Sequence, residues 1–253
     1  MTDGLMPQHS RGGHSFQSRQ TPRMSVRQTV SSVLPAIGAR ALLLLLLGLA
    51  GPAAAQSVDH HDHRFSGAER WAAIFDDPER DEWQKPDEVL RALKLAPDAA
   101  VADIGAGTGY FAARLARALP RGRVYGVDAE PDMVRYLGER AEREDLANLT
   151  PVLARPDDPG IPARVDVVIM VDTYHHIPER ERYFQMLQKS FKTGGRLAII
   201  DFTPESPVGP SVRSRIPAGR VKQELARAGY RLIEEHKFLP NQYFLVFRPE
   251  AYR

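Results

Sequence analysis

Val101-Ala102-Asp103-Ile104-Gly105-Ala106-Gly107-Thr108-Gly109-Tyr110-Phe111 is the stretch whose reading decides the fold. A short apolar run carrying an acid leads into glycines at 105, 107 and 109, and Phe111, Leu115 and Leu119 then recur at every fourth position. That order predicts a buried strand, a tight turn and the start of a helix, as a nucleotide-type ligand requires. Glycine accepts positive φ and lets a ligand approach the backbone, while the helix start offers free N–H groups. The spacing is not that of a dinucleotide fingerprint, whose third glycine would fall at Tyr110. Nor does a Gly-Lys-Ser/Thr ending follow, which excludes a phosphate-cradling P-loop.

A second signal lies downstream. Val124-Tyr125-Gly126-Val127 ends in Asp128, nineteen residues after Gly109. An acid at the carboxyl end of a second strand suits the two hydroxyls of a ribose. On these residues the chain resembles the class I S-adenosylmethionine-dependent methyltransferases. Asp103 to Gly109 look like that family's first motif, and Asp128 looks like its ribose-binding acid. A glycine-rich turn in an unrelated α/β protein is the plainer reading of the first motif alone. A dehydrogenase of the Rossmann class is a further alternative, and the missing third glycine counts against it.

The resemblance covers about residues 85–253. It implies an α/β fold with a doubly wound, Rossmann-like seven-stranded sheet, order 3-2-1-4-5-7-6, strand 7 antiparallel and helices on both faces. It also implies S-adenosyl-L-methionine as cofactor, held by Asp103, Gly105, Ala106, Gly107, Gly109, Asp128 and Ala129. Asp103 falls to the methionine moiety, with water mediation open. An acid is expected after the third strand, on the adenine amino group; Arg155 and Pro156 take that place here, which leaves Asp157 as the candidate.

The remaining elements follow from periodicity and punctuation. Ala68 to Phe75 reads as a short helix ended by Asp76-Asp77-Pro78, and Val89, Leu90 and Leu93 form the stripe of another. Between them, Trp83 and Gln84 either cap the cofactor or line the acceptor pocket, by resemblance, or Trp83 anchors that helix. Pro131 opens a helix with Met133, Leu137 and Ala141 inward, and Pro151 places strand Leu149–Leu153 at an edge. Val165 to Val171 is nearly all apolar, as a buried parallel strand should be. Pro178 opens a helix expected to carry Tyr183, Met186, Leu187 and Phe191 and to close at Thr193-Gly194-Gly195, before a fifth strand from Arg196 to Phe202. Pro217 to Ala228 reads as a helix ending at Gly229, and residues 230–239 and 242–248 as a closing hairpin.

The strand ending at Val171 delivers Asp172-Thr173-Tyr174-His175-His176 to the same sheet edge as the glycine loop. His175 and His176 suit a base near the transferred methyl, because imidazole titrates near neutrality. The other reading is a structural pair that hydrogen-bonds the loops. Asp172 either holds the cofactor's ammonium end or orients a histidine.

The chain has 253 residues, 43% hydrophobic and 26% charged, which suits one ordinary domain with extensions. Of 34 Lys and Arg and 32 Asp and Glu, five and one fall within residues 1–56, leaving 29 bases and 31 acids in residues 57–253. That balance excludes a basic stripe for phosphates and makes nucleic acid an unsuitable substrate, so a small-molecule acceptor is expected. The absence of cysteine excludes disulfides, zinc–thiolate sites and thiol nucleophiles.

Residues 1–56 read as a disordered leader plus signal peptide, residues 57–84 as a His-rich tail and lid segment, and residues 85–253 as the catalytic domain. Arg40, the apolar run Ala41 to Ala50 and the small residues to Ala55 match an export signal cleaved near Ala55, leaving no membrane span. An uncleaved anchor is second, although fifteen residues containing a proline are short for a span of roughly 20. Met24 as the true start would give a more ordinary leader, and either start places the domain outside the cytoplasm, an exported or periplasmic location. Asp59-His60-His61-Asp62-His63 is a solvated tail or a loose metal-binding tract, and no defined metal site is expected. The function expected is methyl transfer from S-adenosyl-L-methionine; the alternative is an exported, non-catalytic protein that binds that cofactor, its demethylated product or a metal.

Overall fold

The computed structural model describes residues 67–155 and 158–250; the leader, the His60 to His63 tract and Asp157 lie outside the described residues. Seven strands form one sheet: β1 (Ala100–Ile104), β2 (Arg123–Asp128), β3 (Leu149–Leu153), β4 (Val165–Val171), β5 (Phe191–Phe202), β6 (Tyr230–His236) and β7 (Gln242–Pro249). Their order is β3-β2-β1-β4-β5-β7-β6. The first five run parallel, and β7 runs antiparallel to both β5 and β6. This is the sheet that the resemblance implied, with Pro151 in the edge strand, where a missing N–H costs no ladder bond.

Alternate residues of the central strands feed two separate cores. Val101, Val167, Ile169 and Ile200 face one side and pack with α3 (Pro86–Leu93), α4 (Tyr110–Ala118) and α5 (Pro131–Arg143). Ala102, Val168, Met170 and Ile199 face the other side, under α6 (Arg180–Leu187) and α7 (Ala218–Arg227). A strand covered on both faces has no polar side, and β1 and β4 therefore show no apolar–polar alternation. Ahead of the sheet lie α1 (Ala68–Phe75) and the one-turn α2 (Arg80–Gln84), the latter in a stretch that the periodicity left unassigned. Among the described residues no helix is long and apolar enough to cross a membrane.

One boundary differs from the sequence expectation. The helix after Pro178 does not reach Phe191: it ends at Leu187, a 3₁₀ turn spans Gln188–Ser190, and Phe191 begins β5. Leu187 and Phe191 are four apart, a spacing that suits one helix face, so periodicity alone misplaces the break. Pairing decides it, because Phe191 lies opposite Val165 of β4 and buries its ring beside Tyr230, at 6.2 Å. Gly194 and Gly195 then sit inside β5 where its register against β4 shifts.

The glycines of the β1–α4 turn are explained by what stands against them. All three have positive φ: 76° at Gly105, 53° at Gly107 and 94° at Gly109. A Cβ on Gly105 would lie 2.1 Å from the Thr173 hydroxyl, and one on Gly109 would lie 2.4 Å from Leu137 Cδ1. The other methyl of Leu137 stands 2.3 Å from where a Cβ on Gly126 of β2 would be. Leu137 of α5 is thus wedged between two positions that admit only hydrogen. Gly107 differs, since its Cβ position faces the Phe75 ring of α1 at 3.4 Å.

Gly126 has no positive φ, so a substitution there tests the wedge without added backbone strain. Gly126→Ala should destabilise the fold by about 1–3 kcal/mol through overpacking. Leu137→Ala should cost roughly 2–5 kcal/mol through the cavity it leaves. The double variant should cost clearly less than the sum in urea unfolding at constant slope. Simple additivity would mean that something other than Leu137 excludes the Cβ.

Candidate active site

Strand order reverses between β1 and β4, and the carboxyl ends of the parallel strands around that point form the crevice where ligands bind in such sheets. Four acids arrive there: Asp103 within β1, Asp128 closing β2, Asp172 just after β4, and Asp201 near the end of β5. Asp103 is 3% exposed, and burial, reinforced by the Asp128 charge and opposed by Arg80, pushes its carboxyl up to about 7. Burial also raises Asp128, against hydrogen bonds from the backbone of Glu130, Gly107 and Ala129. Gly107 N–H donates to its Oδ2 at 2.8 Å and Glu130 N–H to its Oδ1 at 3.0 Å. Asp172 is pushed to about 7 by burial, with Arg80 pulling the other way; 22% of its side chain stays exposed, which moderates the effect.

Arg80, from α2, is the cation that reaches these acids. Its Nη2 donates to Asp172 Oδ2 at 3.1 Å and to Gln84 Oε1 at 3.1 Å. Gln84 donates in turn to Gln242 Oε1 at 2.5 Å, and Gln242 Nε2 donates to Asp172 Oδ1. The four side chains close a ring that ties α2 to the end of β4 and the start of β7. The guanidinium also lies 4.1 Å over the Tyr110 ring and donates to the Phe75 carbonyl at 2.9 Å.

Charges outside the ring hold the end of α1 to α5 and hold α2 to α4. Asp76 pairs with Arg140, which also donates to the Thr108 carbonyl of the glycine loop, and Asp81 pairs with Arg114 and accepts from the Tyr110 hydroxyl. Gln84 is fully buried in the ring, and Trp83 packs against Phe202 with centroids 5.8 Å apart, which anchors α2 to the end of β5. Arg80 and Gln242 were missed in the sequence. Their partners lie 92 and 70 residues away in the chain, and no periodic signal marks either.

The turn after β4 separates the two histidines. His175 is buried, with 4% of its side chain exposed, and its Nδ1 lies 2.9 and 3.0 Å from the two oxygens of Asp201. His176 is exposed, its ring centroid 4.1 Å from that of His175. Of the two readings of Asp172, ammonium holder or orienter of a histidine, the contacts bear as follows: Asp172 is engaged by Arg80 and Gln242, and the acid in contact with His175 is Asp201. A signal for Asp201 was present, because an acid closes an apolar strand at Ile199-Ile200-Asp201 just as it does at Val127-Asp128.

Below the turn, the buried Tyr174 hydroxyl donates to Glu224 at 2.7 Å and Arg180 pairs with the same carboxylate at 2.6 Å. Burial raises Glu224, but hydrogen bonds from Arg180, Tyr174 and Arg220 outweigh it and hold the carboxyl at about 2.

These residues fit a cationic nucleoside cofactor. Among the described residues these buried and half-buried carboxylates outnumber the guanidinium that reaches them, so the crevice favours positive charge and disfavours the pyrophosphate of a dinucleotide. The Thr108 hydroxyl, buried in the glycine loop, has no hydrogen-bond partner among the described residues. The cofactor expected from the sequence carries a sulfonium and an ammonium group, which matches that charge.

Comparison with known proteins agrees with the geometry. A family described as methyltransferase domain matches residues 95–237. The protein-L-isoaspartate O-methyltransferase of Aeropyrum pernix is 29% identical over 139 residues, covering 53% of this chain and 50% of that protein. A trans-aconitate 2-methyltransferase of Rhodopseudomonas palustris is 31% identical over 112 residues, covering 44% of this chain and 42% of that protein. The chain thus spans about half the length of these curated relatives. The crystal structure of a SAM-dependent methyltransferase from Aquifex aeolicus superposes with a TM-score of 0.66 at 26% identity, over 71% of this chain and 97% of that one. With the sheet order, the glycine loop and the matched segment in agreement, the chain belongs to the methyltransferase-domain family, and its cofactor is S-adenosyl-L-methionine.

Proposed function

We propose that this protein transfers the methyl group of S-adenosyl-L-methionine to a small-molecule acceptor. The observation that carries the reading is the set of acids beside the glycine loop at the switch between β1 and β4, Asp103 buried and Asp128 and Asp172 half-buried. When bound, the cofactor supplies a methyl group already activated by its sulfonium charge. The protein's part is to align the acceptor and exclude water, and orientation of that kind is worth roughly 7–11 kcal/mol.

Asp128 takes the ribose hydroxyls in this reading, with Ala129 beside it. Asp103 and Asp172 neutralise the ammonium end, and Gly105, Ala106, Gly107 and Gly109 give the close backbone approach. Asp157 remains the candidate for the adenine amino group. His175, poised beside the crevice, is the base, and His176 packs on its ring. The small excess of acids in residues 57–253 supports a small molecule over nucleic acid as acceptor. The related protein that acts on trans-aconitate supports it too. We place the protein outside the cytoplasm on the strength of the leader at residues 41–55. The intact acid set weighs against the non-catalytic alternative.

Calorimetric titration of the full-length protein with S-adenosyl-L-methionine tests the reading. Gly107→Arg or Asp128→Ala should weaken binding at least about tenfold, the equivalent of one lost charge-assisted hydrogen bond. Unchanged affinity in both variants would sink the assignment.

A second test uses pH. Burial raises Asp103, so the free protein still holds protons near neutrality, and a cationic ligand favours the ionised carboxylate. Binding should therefore release protons. Affinity should rise between pH 6 and 8, by at most about tenfold per unit for each proton released. S-adenosylhomocysteine, which lacks the sulfonium charge, should show a weaker slope. Equal slopes for the two ligands would mean that the acids do not sense the sulfonium.

A further inference from the structure

Asp201 has no part in the roles assigned so far, yet it is 1% exposed and lies at the same sheet edge. Its oxygens accept from His175 N–H at 3.2 Å and Phe202 N–H at 2.8 Å, and the His175 ring nitrogen Nδ1 lies 2.9 and 3.0 Å from them. A carboxylate only accepts, so the ring nitrogen facing it carries the proton. A neutral imidazole has one N–H, which leaves the lone pair on Nε2.

The backbone bond and the ring bond act together. They fix the main chain of the turn and the ring's rotation through one carboxylate. Tyr243 stands opposite Asp201 in the β5–β7 ladder, but its buried hydroxyl makes no hydrogen bond and so does not compete for those oxygens.

We propose that Asp201 is a positioning residue: it locks His175 in the Nδ1–H tautomer and thereby makes Nε2 the proton acceptor of the methyl-transfer site. The inference rests on the function proposed above and narrows the acceptor to a hydroxyl or a protonated amine. For a hydroxyl, an oxygen lone pair forms the new O–C bond as the C–S pair leaves with sulfur, and the O–H pair stays on oxygen while the proton passes to Nε2. General-base help of this kind is worth about 10²–10⁴-fold in rate. An acceptor already ionised at neutral pH would have no use for it. The location supports the role, because Asp172 N–H donates to the carbonyl of Ile200 at 2.9 Å, next to the acid that holds the ring, which keeps the turn at the acid-lined edge.

The test is ¹⁵N NMR of the full-length protein labelled at histidine, with the His175 signals identified by their loss in His175→Gln. The wild-type ring should show a protonated Nδ1 and a lone-pair Nε2. Adding S-adenosyl-L-methionine should move the Nε2 signal and leave that of His236, on β6, in place. Asp201→Ala should shift the tautomer ratio toward Nε2–H by about tenfold or more, the worth of a hydrogen bond to a charged group. Calorimetry on the same samples should show cofactor binding retained in that variant. An Nε2–H tautomer in the wild type overturns the inference. So does a His175 signal indifferent to a cofactor that calorimetry shows to bind, while the methyltransferase reading then survives. Failure of the wild type to bind the cofactor removes that reading and the inference with it. Should Asp201→Ala not fold, the wild-type spectrum and its response to cofactor decide.

Discussion

Leu137 of α5 reaches across the sheet's carboxyl edge and lodges its two methyl groups against Gly109 of the loop and Gly126 of β2. Because neither position has a side chain, the helix sits low on the sheet, and the β1–α4 turn is pressed between α5 and the strand beneath it. Thr173 closes the other side of the turn against Gly105 in the same way. The loop therefore has one shape before any ligand is present. Close packing of this kind tolerates no added methylene without strain, which makes the geometry stiff where a cofactor has to be met. Gly107 is the member of the loop that faces outward, toward α1.

Burial at that edge sets the electrostatics. Parallel strands end on the same side, so the acids at or near the carboxyl ends of β1, β2, β4 and β5 are forced into one neighbourhood. Water is largely excluded from it, and the carboxyls of Asp103 and Asp172 are pushed up toward neutrality in consequence. Arg80 relieves part of this charge, and in doing so it ties α2 to the end of β4. The ring through Gln84 and Gln242 makes α2 a reader of the state of Asp172.

The two histidines show the same division of labour within a single turn. Tyr174 is nailed into the core beneath the turn by Glu224 and Arg180, and His175 is held by Asp201, while His176 faces solvent. Neighbours in the chain thus meet entirely different surroundings. The difference follows from the partner across the sheet and not from the dipeptide itself.

What the sequence determined by itself was local or repetitive. The near-continuous apolar runs of β1 and β4, the glycine turn, Asp128 at its distance from Gly109, Pro151 at an edge and Gly229 after α7 are each legible within a window of one or two elements, because strand burial, turn conformation and capping depend on near neighbours. Tertiary structure alone decided the contacts between distant segments. Phe191 became strand because Val165 was there to pair with it. Arg80 and Gln242 entered the site because folding brought α2 and β7 to the end of β4. Asp201, not Asp172, became the partner of His175 because β5 lies beside β4 with its acid level with the turn. Side-chain hydrogen bonds act over about 3 Å, and no pattern along the chain records which residues, dozens of positions apart, the fold will bring within that reach.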